Sequence, residues 1–485
     1  MQNKTPLFPG IHLASLRRRR RSDHEKIKDE LAAARIRDHD QAAELFGRYL
    51  PHGAMRPSAQ GAHSRRRIFS KGNTFWAFLH QVQSADKSTM EAVRYLQVSA
   101  TLKHAAIPAS ATNAYCHARK KLCVEELSEC LKHTASYAQG LERSGWNGRR
   151  LLAVDGTFLS APDTPENQQA WPQSENQSEG CGFPLIRLCG VFALDSGVLM
   201  AHRIGNKHHA EVTLFRDLQD ELKPGDIMLG DRVYGAYSDL ATLKSREIDA
   251  IVVLHQQRKP TSATQALEVL GEGDLLVKWT RSRSERTVLS KVQINALPKT
   301  LKVRQITFYK QQPGHRTEPM TLITTLLDAR RYPADEIIAT YLRRWEAETC
   351  FADLKTTLGM DILRCKSPAM IEKELIMHLL SHNLIRIALL ESLPDGQHRG
   401  EVSFKAALQL IRRWLGANAG KPVKRSDWKR ILRQLLSDST VQPRPNRQEP
   451  RNRKRRPKPF PPLKQPRTDL NRKTAPADFV LFTLK

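Results

Sequence analysis

The chain has 485 residues, 40% of them hydrophobic, which is too long for a single core and apolar enough to bury more than one. Lys and Arg number 78 against 50 Asp and Glu, and the net charge of +28 points to a polyanionic partner, nucleic acid first. Seven cysteines, odd in number and without a C-x-x-C pair, exclude a disulfide scaffold and a zinc ribbon and fit a reducing compartment.

At the N-terminus a short apolar stretch, Ile11 to Leu16, precedes the run Arg17 to Arg21, the reverse of a secretory signal. From Ser22 to Ser144 the pattern is helical. A Ser88/Glu91 capping box opens one helix, and Tyr115, Ala118, Arg119 and Leu122 are spaced for another. An all-helical N-terminal domain over 1–148, binding DNA, is expected. Within it, Asn113, His117, Arg119, Lys120 and Lys121 give one helix the composition of a groove reader, with a solvated face opposite a core face as the competing reading. Cys116, Cys123 and Cys130, seven apart, read as a buried helical stripe.

The period changes after Arg150. Leu151 to Val154 is an apolar strand ending in Asp155-Gly156-Thr157, and Ile186 to Leu194 with Val198 to His202 makes a hairpin around Asp195-Ser196-Gly197. A helix at Glu211 to Leu222, a strand at Ile227 to Leu229 ending in Gly230-Asp231, a helix at Ser238 to Arg246 and a strand at Ala250 to Leu254 follow. Strands interleaved with helices predict an α/β core with parallel pairing. Residues 256–319 break the rhythm with β-rich segments (Leu275 to Thr280, Thr287 to Ile294, Val303 to Tyr309) and read as an inserted subdomain containing Trp279, itself expected to be core. The core resumes over 320–395 with a strand from Met320 and helices at Ala334 to Leu358 and Pro368 to Leu393. A helical C-terminal region over 396–440 precedes a basic, Pro-rich tail over 441–485, expected to be disordered. The most apolar long window, Leu375 to Leu393, carries His378, His382, Asn383 and Arg386 and suits a buried helix, so no membrane span and a cytoplasmic location are expected.

The segment from Tyr341 to Lys355 is the most informative. On an ideal helix Tyr341, Arg344, Glu348 and Lys355 fall within about 60° of one another, while Glu346 and Asp353 lie on another side. Alone, Arg344 and Glu348 would read as a surface i,i+4 ion pair, and Trp345 as packing. The rest of the chain changes that reading. Asp155 and Asp231 each follow an apolar strand, where open α/β sheets place functional residues. Should the strands be neighbours, Asp155, Asp231 and Glu348 can converge, and three carboxylates call for a divalent cation, Mg²⁺ or Mn²⁺. Such a centre suits in-line phosphoryl displacement, with Tyr341, Arg344 and Lys355 on flanking phosphates. His202, His208 and His209 have no cysteine partner nearby and read as solvated.

The ordered motifs Asp155-Gly156-Thr157, Pro162-Asp163-Thr164-Pro165-Glu166-Asn167, Gly230-Asp231-Arg232 and Y-x(2)-R-x(3)-E-x(6)-K from Tyr341 to Lys355 resemble those of the DDE transposases of the insertion sequence four family. The resemblance spans about residues 65 to 395 and departs from the family pattern at Val233, where many members have a small residue. It implies a ribonuclease-H-like core over 149–255 and 320–395, interrupted by the β-rich insertion, which the 117-residue separation of Asp231 and Glu348 accommodates. It also implies catalytic, metal-binding roles for Asp155, Asp231 and Glu348, and DNA contacts for Tyr341, Arg344 and Lys355. The activity implied is Mg²⁺-dependent cut-and-paste transposition on terminal inverted repeats, by a homodimer in a synaptic complex that also binds target DNA near the bacterial nucleoid. An inactive DNA-binding derivative and a structure-specific nuclease on the same fold are the rival readings.

Overall fold

Nine strands form one mixed sheet in the computed structural model of the chain, which describes residues 4–5, 8–12, 41–64, 67–102, 104–142, 145–281, 290–310, 318–393, 402–418, 425–437, 463–466 and 469. The Arg17 to Arg21 run and nearly all of the basic tail lie outside the described residues. The chain divides into two units, one of residues 1–48, 52–122 and 413–424, the other of residues 49–51, 123–412 and 425–485.

The first unit contains a short antiparallel pair, β1 (Lys4–Thr5) and β2 (Phe8–His12), and helices α1 (Gln41–Phe46), α2 (Lys71–Gln83), α3 (Thr89–Leu102) and α4 (Asn113–Lys120). The hydroxyl oxygens of Ser70 and Ser88 accept from the backbone N–H groups of Asn73 and Glu91, so each satisfies an orphan donor at a helix start. Ala77, Ala92, Val93, Leu96 and Tyr115 close the core between these helices. On α4 the outward residues are Asn113, His117 and Lys120. Arg119 is taken by packing: its guanidinium stacks over Phe78 and donates to Gln81 Oε1 at 3.0 Å, the oxygen that also accepts from the Tyr115 hydroxyl.

The second unit begins with α5 (Val124–Gln139) and continues with β3 (Leu151–Ser160), α6 (Pro165–Ala170), β4 (Leu185–Ala193), β5 (Leu199–Gly205), α7 (Glu211–Arg216), β6 (Ile227–Gly230), α8 (Tyr237–Ser245) and β7 (Asp249–Val253). Then follow β8 (Glu268–Gly271), β9 (Asp274–Thr280), α9 (Lys291–Ala296), β10 (Thr300–Lys310), β11 (Glu318–Thr324), α10 (Ala334–Leu342), α11 (Trp345–Ala352) and α12 (Pro368–Leu390). Helices α13 (Phe404–Ala417) and α14 (Arg425–Ser437) end the described chain's regular structure. The helical N-terminal region therefore divides at Leu122, short of 148: α5 turns Leu127, Cys130, Leu131, Thr134, Ala135 and Ala138 inward and packs on α12 and β5. Of the cysteine stripe only Cys130 is buried, because Cys123 caps α5 and Cys116 lies on α4.

Strand order is β5-β4-β3-β6-β7-β11-β10-β9-β8, with parallel pairing confined to β3/β6 and β6/β7. The sheet is thus mostly antiparallel, and the β-rich stretch does not stand apart as a subdomain. Strand β11 pairs with β7, and β10, β9 and β8 extend the same sheet outward. Trp279 joins its core with Arg258 stacked over the indole at 4.2 Å. Of the strand expected over Thr287 to Ile294, residues 287–289 lie outside the described residues, and the rest is corrected by helix α9, whose start is fixed by a reciprocal Ser290/Gln293 capping box.

Helix α12 is buried around nearly its whole circumference, and no helix among the described residues is long and apolar enough to cross a membrane. Its Asn383 amide caps the sheet edge: Oδ1 accepts from Leu199 N–H and Nδ2 donates to Leu199 C=O, both at 2.9 Å. That pairing meets the polar backbone of edge strand β5.

Candidate active site

Strands β3 and β6 run parallel with Leu151 opposite Ile227, Leu152 opposite Met228 and Ala153 opposite Leu229. Two residues beyond the last pair the same register reaches Asp155 and Asp231. Adjacent strands lie about 4.8 Å apart, and equal register sends both side chains to one face. Asp155 is interior to its strand, contrary to the expectation that it follows the strand end. Pairing with β4 carries β3 on to Ser160, whereas pairing with β6 stops at Ala153. Asp231 does follow its strand, and its Oδ1 accepts from Val233 N–H at 2.9 Å, capping a 3-10 turn over Arg232–Tyr234.

The helix carrying the third acid is not continuous. After α10, Arg343 and Arg344 bond back to Thr340 and Tyr341 in i,i+3 fashion, and α11 gives way to a π turn at Asp353–Thr357. A tightened turn overwinds the helix and a π turn underwinds it, so the two offset one another across the signature. Consequently the stripe survives. Lys355 Nζ donates to Thr157 Oγ1 on β3 at 2.9 Å, and Arg344 donates to Glu348 Oε1 at 2.8 Å while its other terminal nitrogen lies 4.0 Å from Asp155 Oδ2. Tyr341 is buried, and that burial raises its pKa.

The other two acids of the segment are occupied elsewhere: Glu346 accepts from Arg343, which also binds Asp195, and Asp353 pairs with Arg386. Trp345, expected to pack, is 63% exposed, because α11 begins at this residue and turns it away from the sheet. The Pro162 to Asn167 motif is a brace: Thr164 caps α6, and the buried Asn167 amide donates to the carbonyls of Pro162 and Cys365, tying the β3 exit to the segment leading into α12. His208 and His209 sit in an exposed turn, while burial on β5 pushes the His202 pKa down to about 4.

One acid escaped sequence reading. Glu211, the first residue of α7, accepts a hydrogen bond from the Tyr234 hydroxyl and lies against Gly156, next to Asp155. Burial, followed by the charges of Glu211 and Glu348, raises the Asp155 pKa from 3.8 to about 6 against the opposing effects of the Gly156 N–H and Arg344.

Among the described residues no three His, Cys, Asp or Glu side chains are arranged to hold one ion, and Arg344 lies between Asp155 and Glu348. The donor chemistry fits a hard divalent cation all the same. The candidate donors are carboxylate oxygens, and Asp155 has its charged form disfavoured by burial, a state that a cation would relieve.

An acid whose folded pKa is raised favours folding below its unfolded pKa, and that contribution is lost as pH rises through about 6. A shift of roughly two units corresponds to about 3 kcal/mol at neutral pH and above. Asp155→Asn is therefore expected to raise the thermal unfolding midpoint near pH 8 in the presence of a chelator, with the gain gone near pH 4. Equal midpoints near pH 8 would contradict the buried-carboxylate description.

Residues 146–384 match the family described as Transposase DDE domain, a span that contains Asp155, Asp231 and the whole Tyr341 to Lys355 segment. Over 368 residues the chain is 28% identical to the transposase InsG for insertion sequence element IS4 of Escherichia coli (strain K12), covering 73% of this chain and 79% of that protein. Among solved structures, the piggyBac transposase synaptic complex with hairpin DNA aligns with a TM-score of 0.43 and 8% identity, covering 84% of this chain and 85% of that one.

Proposed function

We propose that this chain, which belongs to the DDE transposases of the insertion sequence four family, is a metal-dependent DNA transposase that uses Asp155, Asp231 and Glu348 as its catalytic carboxylates. The observation that carries the site assignment is the parallel β3/β6 register, whose last pair, Ala153 opposite Leu229, stands two residues before Asp155 and Asp231, together with Arg344 reaching from Glu348 to Asp155. The parallel β3-β6-β7 centre with antiparallel β4 and β5 on one flank supports a ribonuclease-H-like reading of the core.

In this reading the three carboxylates would hold Mg²⁺, or Mn²⁺ in its place. When bound, the metal supplies activation of the attacking oxygen and stabilisation of the leaving one. The rest is done by the chain. Arg344 balances the charge of Asp155 and Glu348 and, with Lys355, grips phosphates that flank the scissile bond, while the buried Tyr341, bonded to Arg344, supports that grip from behind. The Lys355 bond to Thr157 holds its ammonium on β3, close in sequence to Asp155, as DNA contact there requires. Substrates are the element's terminal inverted repeats and then target DNA. Joining two ends calls for two protomers, hence a homodimer. The exposed Asn113, His117 and Lys120 on α4 suit contact with a DNA groove.

The test is a reaction of purified full-length chain, Mg²⁺, a DNA fragment carrying the element ends and a target plasmid. The expected products are free 3′ ends and their joints to plasmid DNA. Hydrolysis with no joined product would replace transposition with the nuclease reading.

A further inference from the structure

Each of the two aspartates has a glycine beside it, Gly156 after Asp155 and Gly230 before Asp231, and neither glycine has a positive φ that would require it. Space explains both. A Cβ on Gly156 would fall 2.5 and 2.7 Å from the Glu211 carboxylate oxygens, and one on Gly230 would fall 2.9 to 3.2 Å from the Cβ and ring of Tyr234. These two neighbours are bonded to each other, the Tyr234 hydroxyl donating to Glu211 Oε1. Phe215, one turn along α7 from Glu211, packs edge-on against the Tyr234 ring with centroids 5.1 Å apart. One hydrogen-bonded pair therefore bridges the middle of β3 and the end of β6, and each glycine makes room for one of its members.

Resting on the catalytic reading of Asp155 above, we propose that Glu211 and Tyr234 are positioning residues that fix the middle of β3 relative to the end of β6 and set a fourth negative charge beside Asp155. Tyr234 is fully buried, and its hydroxyl stays protonated because burial drives its pKa far up, so it remains a donor to Glu211. Cys189, opposite Gly156 on β4, completes the pocket as a neutral thiol, its pKa pushed up to about 12 by burial and then by Glu211. The Glu211 carboxylate, seated against Gly156 and fixed there by the Tyr234 hydroxyl, adds negative charge directly beside the Asp155 backbone, where a cation would be drawn. Groups that orient and charge metal ligands from behind typically contribute about 10- to 100-fold in metal affinity.

The experiment uses the full chain without DNA and titrates Mn²⁺ calorimetrically into wild type, Glu211→Gln, Glu211→Asp, Tyr234→Phe and Asp155→Asn, with unfolding midpoints recorded under chelator. Glu211→Gln, which keeps the shape and loses the charge, is expected to weaken Mn²⁺ binding about tenfold or more. Glu211→Asp should recover part of that loss, and Tyr234→Phe should lose several-fold. Should Glu211→Gln fail to fold, the Tyr234→Phe titration decides alone. Wild-type Mn²⁺ affinity in Glu211→Gln, even with a lowered midpoint, would make the pair merely structural and overturn the proposal. Loss of Mn²⁺ in Asp155→Asn with retention in Glu211→Gln overturns this inference only. Retention in Asp155→Asn as well removes the catalytic reading on which it rests.

Discussion

Glu348→Gln is expected to lower cleavage at the element ends by at least about 10³-fold, the roughly 4 kcal/mol that loss of a charge-stabilising group at a reacting centre costs. The folded state should scarcely notice. The Glu348 side chain is 37% exposed and its partner Arg344 retains Asp155 within 4.0 Å, so the lost pair belongs to the class worth about 0–1 kcal/mol. End binding in a gel-shift titration should likewise persist, since Arg344, Lys355 and Tyr341 are untouched. Cleavage within tenfold of wild type would remove Glu348 from the reacting centre.

The largest stability effect is expected far from the chemistry. Arg304 on β10 is fully buried and binds Asp274 on β9 through two hydrogen bonds, at 2.7 and 2.5 Å, while its remaining terminal nitrogen donates to the Tyr332 carbonyl at 2.6 Å. Removing one member of such a pair leaves the other charge buried without compensation, at about 3–5 kcal/mol. Arg304→Met should therefore lower the unfolding midpoint sharply, and adding Asp274→Leu should restore much of it, because an apolar pair of similar volume avoids the desolvation cost. A double variant no more stable than Arg304→Met would contradict this account. The pair also makes the extension part of the core, since it ties β9 and β10 to Tyr332 in the segment leading into α10.

Much of this architecture was legible in the sequence because its signals are local. Apolar runs mark β3, β4, β6 and β7, Asp195-Ser196-Gly197 marks the hairpin turn, and buried polar residues within an apolar window mark α12. Long-range pairing left no comparable trace. Strand β11 returns to β7 across the entire inserted stretch, so segments that look like a separate subdomain belong to one sheet. The signature helix shows the same limit at finer scale. A uniform wheel places Tyr341, Arg344, Glu348 and Lys355 on one stripe, but it cannot show the tightened turn at Arg343 and Arg344 or the π turn near Lys355. Trp345 follows from that geometry and stands exposed where packing was expected. Glu211 was unreadable for a different reason, because its place beside Asp155 depends on Gly156 and Tyr234. The glycines flanking both aspartates were the available hint.

The central claim is that one set of three carboxylates serves both cutting and joining. Its most direct measurement is strand joining from precut ends, which bypasses cleavage, by wild type, Asp155→Asn, Asp231→Asn and Glu348→Gln, with end binding verified for each. All three variants are expected to lose joining together with cleavage. A variant that fails to cut yet joins precut ends at the wild-type rate would contradict a single shared site.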